Sequence, residues 1–165
     1  MMTYNVRQEM TRIRKTYYEH GDRATTVSEY RKILETARAD PKVTGDDITV
    51  CLMSIGMVLH EQNRLLEAIE AYDEALKRSL NHNERARILQ NKSVAQMAAH
   101  LYDAAVDTGK EALTYAQLGG NIGLVRDLIV NQQTIIEAAS DKPEKIIVTG
   151  VAKRGGDISD LILGN

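Results

Sequence analysis

Apolar residues recur along the chain three and four positions apart, as on one face of a helix, and seldom alternate as in a strand. Ala, Leu, Glu, Arg and Gln, which favour helices, are abundant. The pattern predicts an all-α fold of about seven helices. Their expected bounds are Thr3–His20, Arg23–Ala39, Asp47–Gln62, Leu65–Leu80, Asn83–His100, Tyr102–Gln117 and Ile122–Ala139. Asp22 and Asp46 are predicted N-caps, since a short carboxylate accepts hydrogen bonds from the free N–H groups of a first turn.

Residues 49–82 carry small and large apolar side chains at the offsets where two short antiparallel helices of a stacking repeat interlock. These residues are Leu52, Ile55, Gly56, Leu59, Ala68, Tyr72 and Ala75. The segment resembles a tetratricopeptide repeat, a helix-turn-helix unit of about 34 residues. Weaker copies begin at Arg7, Ala86 and Val125, and the spacings of 42, 37 and 39 residues between successive starts are longer than the commonest unit of this family. The turn at residues 118–121 is similar to that of the long-repeat branch of the family. The resemblance implies a right-handed superhelical solenoid of antiparallel helix pairs.

The third copy departs from the family pattern at Lys92, Ser93, Gln96 and Gly109. Gly109 stands where the family has an aromatic residue. An unfilled space of that size would cost stability, so we expect the side chain of Tyr115 or of another neighbour to occupy it.

The chain divides into a helical repeat domain over residues 1–140 and a C-terminal tail over residues 141–165. The last predicted helix is too apolar for a simple polar cap, so we expect part of its apolar surface to stay uncovered by the other helices. The tail has two apolar clusters, at residues 146–148 and 158–163. One cluster is expected to fold back on the last helix, to enter the groove or to contact a second copy. A frayed terminus is the alternative.

In the tetratricopeptide family, positions two, five, nine and twelve of each first helix line the concave wall. The resemblance therefore implies a set of candidate peptide-binding residues: Met53, Met57, His60, Arg87, Gln90, Val94, Met97, Arg126 and Ile129. Methionine is flexible and polarisable, and methionine-rich surfaces adapt to their partners. We expect a noncatalytic scaffold that binds a peptide or helix of a partner protein, oriented by Arg87 and Arg126. Core filling is the competing interpretation of the methionines.

A second function is a homo-oligomerisation module, most simply a homodimer, that uses the last helix and the tail. In that case the groove would be incidental to the function. The sequence leaves this alternative open.

Charge and composition narrow the other classes of function. The chain has 21 Lys and Arg against 23 Asp and Glu, a net charge of -2 and 4% aromatic residues, which disfavours nucleic-acid binding. No apolar run approaches the ~20 residues that span a bilayer, and the first residues do not resemble a signal peptide, so we expect a cytoplasmic protein without a membrane partner. No metal-ligand, nucleophile or phosphate-loop motif appears, which predicts no enzymatic activity, no metal and no cofactor. The single cysteine, Cys51, is expected to be a small buried apolar side chain.

Overall fold

Seven α-helices form the part of the chain that the structure, a computed structural model, describes: residues 5–20 and 23–141. The helices are α1 (Val6–His20), α2 (Arg23–Ala39), α3 (Gly45–Glu61), α4 (Leu65–Arg78), α5 (His82–Ala98), α6 (Tyr102–Leu118) and α7 (Ile122–Ser140). No strand occurs in these two ranges. The prediction of an all-α fold with seven helices is thereby confirmed. The right-handed superhelical path stays a prediction.

Each helix packs against the next one in the chain, and the odd-numbered helices α1, α3, α5 and α7 also contact one another in order. Three residues connect each pair of successive helices from α3 to α7. Such short connections make neighbouring helices antiparallel. As a consequence α3, α5 and α7 run in the same direction and form one layer, while α4 and α6 pack behind it.

Helix α3 begins two residues earlier than predicted, and its N-cap is Thr44 rather than Asp46. The backbone N–H of Asp47 donates to Thr44 Oγ1 at 3.2 Å, with Thr44 in an extended conformation. The hydroxyl of Thr44 therefore accepts the capping hydrogen bond that was expected of the Asp46 carboxylate. Asp46 lies in the first turn with an exposed side chain, and Asp22 lies outside the described residues.

The contact between α3 and α4 depends on the missing side chain of Gly56. A Cβ built at this position would lie 2.5 Å from Cε1 of Tyr72. Tyr72, Leu52 and Leu59 are all buried, and Ala68 is buried on the facing helix. The close approach of these two helices, predicted from the pattern of small and large residues, is confirmed.

The space beside Gly109 is filled from α7 by Gln132 and not by Tyr115. Gln132 Nε2 donates to the carbonyl of Val106 at 2.9 Å, and its Oε1 occupies the position that a Cβ on Gly109 would need. The ring of Tyr115 stacks instead on His82, with 5.8 Å between ring centroids. A polar side chain from the next helix therefore completes the packing of the third helix pair.

Helix α7 buries one face and leaves an apolar stripe exposed. Leu124, Leu128 and Ile135 are buried against the preceding helices. On the exposed side Ile122, Ile129 and Ile136 follow one another at seven-residue intervals, and their exposed fractions are 77%, 54% and 40%. The apolar clusters of the tail, at residues 146–148 and 158–163, lie outside the described residues.

Candidate functional site

A groove runs between α1, α3 and α5 on the side of the odd-numbered helices. Its central cavity, of about 460 Å³, has walls from all three helices and from the cap of α5. It is lined by Arg7, Asp46, Val50, Met53, Ser54, Met57, Asn81, Asn83, Glu84 and Arg87. The cavity continues toward α1 in a second space of about 200 Å³ and toward the C-terminal end of α3 in a third of about 150 Å³. We refer to these three adjoining cavities as the α3 groove.

The floor of the α3 groove is apolar and comes from one face of α3. Val50, Met53 and Met57 stand at helical spacing and therefore share that face. Val50 and Met53 are half-buried and pack against the core, whereas Met57 is 45% exposed. Met53 thus fills part of the core, whereas Met57 does not.

Acidic side chains gather at the end of the groove where α3 and α5 begin. Arg7 Nε donates to Asp47 Oδ1 at 2.5 Å. This hydrogen bond lowers the pKa of the Asp47 carboxyl and raises the pKa of Arg7. The charges of Asp46 and Glu84 raise the pKa of Arg7 further. The carboxylates of Asp46, Asp47 and Glu84 thus stand around the guanidinium of Arg7 in this region, which we call the acidic end, and Arg87 lines the same cavity one helical turn after Glu84.

Arg87 is the other cation of the central cavity, and it projects from α5 with an exposed side chain. Within the described ranges it takes part in no hydrogen bond or ion pair. A guanidinium that is not already paired can donate to a carboxylate or to a backbone carbonyl. Arg87 is therefore available to an occupant of the groove, whereas the guanidinium of Arg7 already has a carboxylate partner.

The structure brings five of the nine predicted peptide-binding residues to the α3 groove: Met53, Met57, His60, Arg87 and Val94. The other four do not line the three cavities. Gln90 and Met97 are half-buried on α5, and Arg126 and Ile129 are exposed on α7, which contacts α5 but not α3.

The sequence pattern missed the polar side chains that close the N-terminal end of the groove. These are Arg7, Asp46, Asn81, Asn83 and Glu84. They lie in the caps and first turns of the helices rather than at the wall positions of the repeat. The sequence could have indicated this end of the groove, because Asp46, Asp47 and Glu84 all lie at the starts of odd-numbered helices. These starts meet at one end of a layer of parallel helices.

The described ranges contain no metal-binding cluster, and the cysteine in them is buried. No group of three or more His, Cys, Asp and Glu side chains there is placed to hold a metal ion. Cys51 is fully buried, its Sγ lies 3.6 Å from the carbonyl of Tyr30, and burial raises the pKa of its thiol to about 12. None of the helices α1 to α7 is long and apolar enough to cross a membrane.

Comparison with known proteins gives a likeness in fold. No family model matches the sequence, and no curated protein matches it. The chain is similar to the crystal structure of BtubC (BKLC) from P. vanneervenii, with a TM-score of 0.60 and 19% sequence identity over 94% of this chain and 76% of that one. At this level of identity the likeness concerns the fold alone.

Proposed function

We propose that this chain is a noncatalytic, tetratricopeptide-like scaffold whose α3 groove binds a peptide or helix of a partner protein. The observation that carries the proposal is the exposed side chain of Met57 in an open cavity of about 460 Å³, beside the unpaired guanidinium of Arg87. A flexible apolar floor and a free cation are the two elements that hold and orient an extended or helical segment.

The dimensions of the groove support binding of a segment rather than of a single side chain. Asp46 and His60 mark its two ends and are 14 residues apart on α3, which at about 1.5 Å per residue corresponds to roughly 21 Å. An extended peptide covers that length with about six or seven residues. The proposal includes a cytoplasmic location and excludes nucleic acid and membranes as partners, because the net charge of -2 offers no attraction to phosphates.

The proposal is tested by selecting peptides from a display library on the immobilised full chain. We expect the wild type to enrich a set of related peptides and the Met57→Glu variant to lose them. Burying a carboxylate on the floor against the apolar side chains of a peptide costs free energy. Leu66→Glu is the matched control, because Leu66 is 66% exposed on α4 and does not line the α3 groove. Circular dichroism checks that both variants fold. If wild type and Met57→Glu retain the same peptides, the groove is not the binding site.

A second candidate function, homo-oligomerisation, is favoured by the exposed isoleucines of α7. Ile122, Ile129 and Ile136 repeat every seven residues, which is the spacing that two helices use when they pack side by side. Light scattering distinguishes a monomer of 18.4 kDa from a dimer of twice that mass. If the chain dimerises through α7, Ile129→Glu should restore the monomer mass while Leu66→Glu should not.

A further inference from the structure

We propose that residues 146–154 of the chain's own C-terminal tail occupy the α3 groove and compete there with partner segments. This inference rests on the groove-binding function proposed above. The side chains of Met57 and Arg87 are exposed in the groove and can contact the tail. The chemistry of the groove, the composition of the tail and the direction in which α7 ends point to the same arrangement.

The first argument is complementary composition along the groove. The groove has an apolar floor at Val50, Met53 and Met57, followed by the acidic end, where the carboxylates of Asp46, Asp47 and Glu84 outnumber the guanidiniums of Arg7 and Arg87. The tail has apolar residues at 146–148 followed by two adjacent cations, Lys153 and Arg154. One continuous segment of the tail therefore offers apolar side chains to the floor and cations to the acidic end.

The second argument is the direction of the chain. Helices α3, α5 and α7 run in parallel. The end of α7 at Ser140 therefore lies on the same side of the molecule as the end of α3, which contains His60. The tail thus starts on the same side of the molecule as the C-terminal end of the groove, opposite the acidic end, with α5 between α7 and α3. A segment that enters there and runs antiparallel to α3 meets Met57 first and Asp46 last, which is the order of its apolar and basic residues.

The third argument is distance. Met57 and Asp46 are eleven residues apart on α3, or about 17 Å at the helical rise. Val148 and Lys153 are five residues apart, and an extended chain spans about 17 Å over that number. Helix α5 lies between α7 and α3, so the tail must cross two interaxial spacings, or about 16–20 Å. The eight residues from Ser140 to Val148 reach roughly 26 Å when extended, which exceeds this distance. The tail can therefore reach the groove and match its length.

The consequence is a groove with a tethered competitor. A segment tethered to the same chain by a short linker has an effective concentration in the millimolar range. Even a weak contact with the groove would then keep it occupied, and a partner segment would need to bind more tightly than the tail to displace it.

Disulfide trapping in the full chain tests where the tail lies. The background is Cys51→Ala, which removes the native thiol. The test pair is Met57→Cys with Val148→Cys, and the matched control pair is Ile129→Cys with Val148→Cys, which places the first thiol on the exposed face of α7. We expect an intramolecular disulfide to form at least tenfold faster in the test pair. Faster trapping in the control pair, equally slow trapping in both, or disulfides only between chains would each overturn the proposal.

Charge exchange tests the acidic end separately. Lys153→Glu with Arg154→Glu should slow trapping of the test pair several-fold, and adding Asp46→Lys with Glu84→Lys should restore it. Lys110→Glu, an exposed change on α6, is the control and should leave the rate unchanged. Slowing without restoration would contradict the pairing of the tail cations with the acidic end.

The peptides from the display selection keep the two proposals distinguishable. If the tail competes, these peptides should bind several-fold more tightly to the chain with Lys153→Glu and Arg154→Glu than to the wild type. If they bind both chains equally and trapping fails, the inference about the tail falls while the proposed function stands. If trapping succeeds but no peptide is selected even by the variant chain, the groove serves the tail alone and the proposed function falls.

Discussion

The ring of Tyr72 occupies the place where a side chain on Gly56 would begin, because a Cβ at position 56 would lie 2.5 Å from Cε1 of that ring. Tyr72 is 1% exposed, so the ring has little freedom to move aside. Alanine at position 56 therefore overpacks the contact between α3 and α4.

Gly56→Ala should lower the free energy of unfolding by about 1–3 kcal/mol, as overpacked core substitutions usually do. The measurement is urea denaturation followed by circular dichroism. Gly45→Ala is the matched control, since Gly45 lies in the first turn of the same helix and nothing stands within 4 Å of its Cβ position. Equal stability of the two variants would show that α3 and α4 are not packed through Gly56.

The contact between Gly109 and Gln132 should appear as non-additive mutational effects. Gly109→Ala forces out the Gln132 side chain, and Gln132→Ala removes the side-chain hydrogen bond to the carbonyl of Val106 and leaves a space beside Gly109. Each change should destabilise the chain by about 1–3 kcal/mol. In the double variant the new methyl group occupies part of the vacated space, so its cost should fall short of the sum by at least about 0.5 kcal/mol. A double-mutant cycle in urea measures this difference, and strict additivity would exclude the contact.

Stability at acid pH should depend on the hydrogen bond between Arg7 and Asp47. The folded chain holds the pKa of Asp47 below its ordinary value because the Arg7 guanidinium donates to the carboxylate. The stabilisation is therefore present above the ordinary carboxyl pKa of about 3.9 and is lost as the pH falls through the lower folded value.

Asp47→Asn should thus differ from the wild type at pH 6 and approach it as the pH falls below the ordinary carboxyl pKa. Because Arg7 is largely exposed, the difference at pH 6 should be under about 1 kcal/mol. Urea midpoints measured across this range check the prediction. Asp127→Asn, an exposed carboxylate on α7, is the control. A difference between wild type and Asp47→Asn that stays constant down to pH 2.5 would contradict it.

Burial of Cys51 should make the chain less stable at alkaline pH. The thiol has a pKa of about 12 when folded, raised by burial from 9.0, so it stays protonated while the unfolded chain ionises. The stabilisation is full below pH 9 and is lost progressively toward pH 12, at up to about 1.4 kcal/mol per pH unit.

Cys51→Ala should weaken the loss of stability between pH 9 and 10. Burial also raises the pKa of Tyr30 to about 12 from 10.0, and the loss of stability from this tyrosine should be the same in both chains. Urea denaturation at these two pH values gives the slope for each chain. In the native wild type the thiol should also react slowly with a disulfide reagent and become fast on unfolding. Equal alkaline slopes in the two chains would mean that the thiol is not buried.

The sequence alone was sufficient for the helices and for the close contact at Gly56. Helical periodicity is a local property, so six of the seven predicted helices have bounds within two residues of those observed at both ends, and α1 differs by three at its start. The cap of α3 was misassigned because Thr44 and Asp46 are both good capping residues, and the backbone conformation decides between them.

The residues of the candidate site were also predicted only in part. Met53, Met57 and Arg87 could be placed together because each occupies a fixed position in its own repeat. Gln90, Met97, Arg126 and Ile129 hold similar positions, but they lie outside the three cavities, two of them on a helix that does not contact α3.

The set of helices and the small-and-large pattern that joins α3 to α4 follow from the amino-acid sequence, since both depend on residues within one segment. The contact of Arg7 with Asp47 across 40 residues of chain, and the filling of the space beside Gly109 by Gln132, became visible in the folded chain. These contacts join separate helices, and no local pattern records which side chains meet once the helices pack.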